Sequence, residues 1–186
     1  MRIIKILRTD QDLAERFLDV LGSGLAVASQ SRAGRPGFFI FAGNFINEYL
    51  EAVYFKKEDV LLKALEEYGF PSDSGPVGNM REGYEKSTKI SKILSESARQ
   101  WLNGDDTSRT ECIWAASEYT GIMHRHMELL KSLIHPLLEQ SLNEEDEQKA
   151  AVQLNVIAFE GASDDALDKY TKLVKTLEEE VSEWKN

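Results

Sequence analysis

The residues best suited to chemistry are three histidines, His124, His126 and His135, and a set of phenols and carboxylates at helical spacing, above all Tyr54 and Glu58. Imidazoles and carboxylates paired at i,i+4 are how helical proteins hold metal ions in their interior, so three histidines set a ceiling on that chemistry. At about 100° per residue, Tyr119, Ile122, His126, Leu129, Leu130, Leu133 and Leu137 share one stripe of a helix. His124 projects to the opposite side, and His135 falls with it. Only His126 is therefore expected in the interior, either as a metal ligand or as a core histidine hydrogen-bonded to a hydroxyl or carboxylate.

A second seam holds Ile46, Leu50, Val53, Tyr54, Leu61 and Leu65, with Glu58 at its edge and Lys57 close by. Glu58 is either an inward carboxylate or a surface residue of the KKED run, paired to Lys57 while its stem lies along apolar surface. Met80, Tyr84, Ser87, Ser91, Leu94 and Ala98 form a third seam. It reads either as a pocket or as close packing over small side chains, with the Tyr84 hydroxyl satisfied by Glu58 or His126.

Helical periodicity runs through most of the chain, with no sustained strand alternation, so the expected fold is all-α. The first helix is expected over about residues 9–28, ended by SQSRAGRPG at 29–37. The second follows Pro36 and stops near Gly69, and the third covers about 77–102, ended by Asn103 and Gly104. The fourth covers about 107–138. Ser141 and Glu144 have capping-box spacing, which predicts a short fifth helix with Gly161 at its end. The last, about 163–184, puts Ala166, Tyr170, Leu173, Leu177 and Val181 on one face, as in an outer helix docked on a body. Together these predict one domain over 1–186: an up-and-down four-helix bundle at about 9–140, then one short and one long accessory helix at about 141–185.

The 186 residues, 42% hydrophobic with 4 prolines, suit a single core. A net charge of −10 disfavours nucleic acid as a partner. Cys112, the single cysteine, excludes an intramolecular disulfide and a multi-cysteine zinc site, and reads as a small core residue rather than a nucleophile. The start, MRIIKIL, is too short for a membrane span and soon meets charges, so a cytoplasmic protein without membrane contact is expected. No Gly-rich phosphate loop, Ser-His-Asp pattern or Cys-His pair is visible.

The segments FINEYLEAVYFKKEDVLLKAL at 45–65, EEYGFP at 66–71, GPVGNM at 75–80, YTGIMHRH at 119–126 and LNEEDE at 142–147 together resemble bacterial and archaeal hemerythrin-like (HHE cation-binding) domains. The resemblance runs over about residues 9–180. It implies an oxo-bridged di-iron centre, held by a histidine on helix one, a His-x-x-x-Glu pair on helix two, a histidine on helix three and another such pair on helix four. Matched to that pattern, the first position falls at Gln11. The second pair falls at Tyr54 and Glu58, the helix-three position at Tyr84 after Gly83, and the last pair at His126 and Leu130. Glu128 lies off the face that a partner to His126 would need.

Two of the six ligands the resemblance implies survive, Glu58 and His126. A bridged di-iron centre is therefore not expected. Tyr54, Glu58, Tyr84 and His126 are the candidate pocket residues: they either hold one ferric ion through phenolate ligands or close into a hydrogen-bonded cluster. No resident cofactor is expected, iron being the one candidate. The functions that follow are a non-enzymatic binding, sensing or interaction protein, or an iron protein for oxygen, nitric oxide or peroxide chemistry. A small ligand in the bundle pocket, and a second copy or protein partner on the outer helices, are the expected partners.

Overall fold

The computed structural model describes residues 1–161 and 166–185. They form six helices with no strand among them. Helix α1 is Arg2–Gln30. Helix α2 spans 36–67 as α-helical Pro36–Phe45, π-helical Ile46–Tyr54 and α-helical Phe55–Glu67. Helix α3 is Gly75–Leu102. Helix α4 spans 107–141 as α-helical Thr107–Leu129, π-helical Leu130–Ile134 and α-helical His135–Ser141. Helices α5 and α6 are Glu144–Gly161 and Ala166–Trp184.

Helix α1 starts well before the expected residue 9. Ile3 and Leu7 are fully buried at i,i+4 spacing and continue the apolar stripe through Ala14, Leu18 and Leu21, so the MRIIKIL run is the first two turns of the helix rather than a lead-in. The cap of α5 also differs from expectation. Ser141 closes α4, and Asn143 caps α5, its Oδ1 accepting the Asp146 N–H at 2.9 Å. At 18 residues α5 is a full-length helix. The expected first residues of α6, from Ser163, lie outside the described residues, as does the side chain of Ala166.

Both π-helical segments were unforeseen, and they change which side chains face inward. Phe55 N–H bonds to Leu50 O, and His135 N–H to Leu130 O, each five residues back. In α4 the cause is Pro136, which has no N–H and whose ring crowds the carbonyl four residues earlier; widening the preceding turn lets the helix continue past it. The extra residue advances the helical phase by about 100°. Ile134 and Leu138 are therefore fully buried, whereas Leu133 is exposed and Leu137 only half-buried, contrary to the expected stripe.

Helix α3 packs along α4 and against α2, while α1 packs on α4. Helix α5 lies against α1 and the second half of α2, and α6 against α1 and the first half of α2. Tyr170, Val174, Leu177 and Val181 seat α6, with Val174 buried in place of the expected Leu173. Between α1, α2 and α6 the core is aromatic. Phe17 stacks on Phe45 at 4.3 Å between ring centroids, and Phe38 meets Trp184 at 5.0 Å. Gly24 makes the Phe38 contact possible, since a Cβ there would sit 2.5 Å from Phe38 Cζ. Among the described residues no helix is long and apolar enough to cross a membrane.

Candidate functional site

Helix α2 delivers Tyr54 and Glu58 one turn apart, just where its π-helical segment ends. Helix α3 brings Tyr84, and α4 brings His126 one turn ahead of its own π-helical segment. Glu58 is fully buried, which settles the alternative in favour of an inward carboxylate. Its Oε2 accepts the Tyr84 hydroxyl at 2.9 Å and bonds His126 Nε2 at 2.7 Å. Its Oε1 has no hydrogen-bond partner among the described residues. The rings pack as well: Phe55 on Tyr84 at 4.7 Å and Tyr84 on His126 at 5.1 Å.

Tyr54 is fully buried beside this trio, but its hydroxyl meets Met127 Sδ at 3.6 Å. Burial first, and the Glu58 carboxylate second, push the Tyr54 and Tyr84 phenols well above their ordinary range. Both are therefore neutral phenols at physiological pH. Tyr119 of α4, not singled out as a site residue, is a second fully buried phenol, near Glu51 and Glu58; its hydroxyl has no partner among the described residues.

The remaining positions fall elsewhere. Gln11 is buried on α1, with its Nε2 3.1 Å from His135 Nε2, and Leu130 is fully buried in the apolar core. His135 was expected on the outer side of its helix. The π-helical segment immediately before it rotates it back toward α1, giving the protein two histidines in contact with buried polar groups. Burial holds the His135 pKa below its ordinary value, against the pull of Glu58 and Glu139.

A second polar group, Asp10, Lys57 and Tyr49, lies between α1 and α2. Lys57 Nζ is 2.9 Å from both Asp10 oxygens, and the Tyr49 hydroxyl donates to Asp10 Oδ1 at 2.7 Å. The pairing of Lys57 is thus with Asp10, not Glu58. The sequence signal was faint: Lys57 falls near the inward sector, but nothing marks Asp10 as its mate. Cys112 is buried and its thiol is pushed up to about 12, which leaves it un-ionised and unreactive at neutral pH.

The ligand chemistry does not fit a di-iron centre. A metal needs a lone pair on an imidazole nitrogen, yet His126 Nε2 is directed at a carboxylate oxygen and so carries the proton there. The other ring nitrogen, Nδ1, faces the backbone of α3 at Gly83, where a Cβ would lie 3.4 Å away, so neither nitrogen opens on free space. Among the described residues no three His, Cys, Asp or Glu side chains are placed to hold a metal ion.

A cleft of about 610 Å³ opens on the other side of Tyr84 and Phe55, between α2 and α5. Val60, Val152, Val156 and Ile157 supply much of its apolar wall, and Lys56 and Lys63 stand at its edge. Comparison with protein-family models, curated proteins and solved structures finds no match to this chain.

Proposed function

We propose that the chain is a hemerythrin-like four-helix bundle, α1 to α4 with α5 and α6 as accessory helices, in which a protein-only hydrogen-bonded cluster stands where relatives would hold iron. Its function is non-enzymatic: binding or sensing of a small molecule, with the outer helices open to a protein partner or second copy. The observation that carries this reading is the doubly engaged Glu58 Oε2, on which the Tyr84 hydroxyl and His126 Nε2 converge. The neutral phenols support it, since ferric iron prefers phenolate. The cleft beside Phe55 and Tyr84 is the place for the small molecule, because an occupant there touches the rings that pack on His126.

One observation favours a second reading, a single ferric ion on Tyr54, Glu58, Tyr84 and His126: the unpartnered Glu58 Oε1. That reading requires His126 to leave Glu58 and both phenols to lose their protons. Elemental analysis and an absorption spectrum, after anaerobic Fe(II) loading and reoxidation, separate the two. The cluster reading expects no stoichiometric iron and no visible band. A phenolate-to-iron absorption that Tyr84→Phe removes would overturn it.

A further inference from the structure

The RAGRP segment at 32–36, which ends the α1 to α2 connection, takes no part in the cluster. With Arg109 it encloses a recess of about 380 Å³ at the N-terminal end of α2. Three of the chain's nine arginines, Arg32, Arg35 and Arg109, line this space in a protein of net charge −10. We propose that the recess binds the phosphoryl group of a small phosphate ester.

Arg109 is fixed before any ligand arrives. Its Nη2 donates to Ala28 O at 2.8 Å and Ser31 O at 2.6 Å, and its guanidinium lies 5.6 Å from the Trp101 ring centroid. Those two bonds use one nitrogen and leave Nε and Nη1 as donors. The connection is held equally firmly: Gly34 is buried against α1, and a Cβ there would stand 2.5 Å from Ala28 Cβ. This fold-back sets Arg32 and Arg35 on the recess with Arg109. Neither Arg32 nor Arg35 forms an ion pair among the described residues, although Arg35 acts at longer range on Glu180 of α6.

Guanidinium groups match a phosphoryl oxyanion in geometry as well as charge. Pro36, the first residue of α2, also lines the recess, so the positive end of that helix adds to the arginines that carry the argument. The single carboxylate on the wall, Asp106, leaves a lining of two net positive charges and offers an acceptor for a ligand hydroxyl. The volume is in the range of small-ligand pockets, about 300–1,000 Å³, and is more than a bare oxyanion fills. The acidic remainder of the surface excludes a phosphate polymer, whose other charges would meet repulsion.

This site stands apart from the cluster and cleft, so its test is independent of theirs. Titrations of the full chain with phenyl phosphate and with inorganic phosphate, at fixed ionic strength and followed by amide and indole NMR shifts, provide the readout. Saturable shifts at residues 32–37, the Trp101 indole and Arg109 are expected, tighter for the ester. Equal affinity would assign the site to free phosphate and overturn the ester. Arg32→Ala with Arg35→Ala, both exposed and outside the core, should weaken binding at least tenfold, while Lys172→Ala on α6 leaves it unchanged. Binding that survives the double substitution, or shifts scattered over all basic residues, would overturn the site.

Discussion

Helices α1 and α2 meet at two levels that solve the same packing problem differently. At one, Phe17 stacks on Phe45, and Tyr49 and Tyr170 continue the aromatic packing at 5.2 and 6.0 Å from Phe45. Two turns toward the start of α1, Asp10 and Lys57 form a buried ion pair, and one turn past Tyr54 the carboxylate of Glu58 takes two donors. Ring packing is non-directional and tolerates exchange of shapes. Buried polar groups are directional, and each depends on a named partner, so removing one strands the other. The aromatic level thus holds α1 and α2 together, the Asp10–Lys57 pair fixes their register, and Glu58 ties α2 to α3 and α4 instead.

The widest separation between the levels is expected from Lys57→Met. It leaves Asp10 buried with only the Tyr49 hydroxyl, at a cost of about 3–5 kcal/mol by urea denaturation. Adding Asp10→Leu removes the stranded charge, and the double variant should be more stable than Lys57→Met alone. A double variant less stable than the single would show that the ion pair is a net source of stability and not only of specificity.

Tyr84→Phe comes next. It takes one donor from a carboxylate that already has an unpartnered oxygen, and about 1.5–3 kcal/mol is expected from a bond to a charged acceptor. Phe17→Leu keeps the aromatic level apolar and loses chiefly the stacking, about 1 kcal/mol. Should Phe17→Leu cost more than Tyr84→Phe, the greater sensitivity expected of the polar contacts fails. Tyr54→Phe is expected below about 1 kcal/mol, because its hydroxyl meets the Met127 thioether and stands less directly against Glu58 than the Tyr84 hydroxyl does.

The inequality between the two tyrosines was not legible in the sequence, where Tyr54 and Tyr84 look alike as phenols on helix seams. Helix limits were legible wherever a residue forces them: Pro36 opens α2, Gly69 follows its end with a φ of 90°, and Asn103 and Gly104 close α3. The contact of Tyr84 and His126 with Glu58 was among the readings that helical phase allowed. Phase reckoning failed past residue 130, because one extra residue in the turn before Pro136 rotates everything after it. Nothing in INEYLEAVY at 46–54 marks its π-helical geometry. The pairing of Asp10 with Lys57 depends on how α1 slides against α2, a tertiary choice that neither helix records alone.

His135, rotated inward by that extra residue, yields the smallest expected effect and a distinct signature. Its imidazole accepts from the Gln11 amide in the neutral form, and burial holds its pKa below the ordinary value near 6.5. The unfolded chain therefore binds a proton more readily than the folded one, so stability rises with pH between the lowered pKa and about 6.5, and is lost as pH falls through that window. The carboxylates held low by partners, Asp59, Glu82, Asp105 and Asp146, lose their contribution below their ordinary values, on the acid side, and Glu180, raised by burial, has the opposite sign, lowering stability as pH rises. Denaturation midpoints between pH 5 and 7 should slope upward in the native chain and flatten in His135→Gln. A slope that persists in that variant would place the titrating group elsewhere.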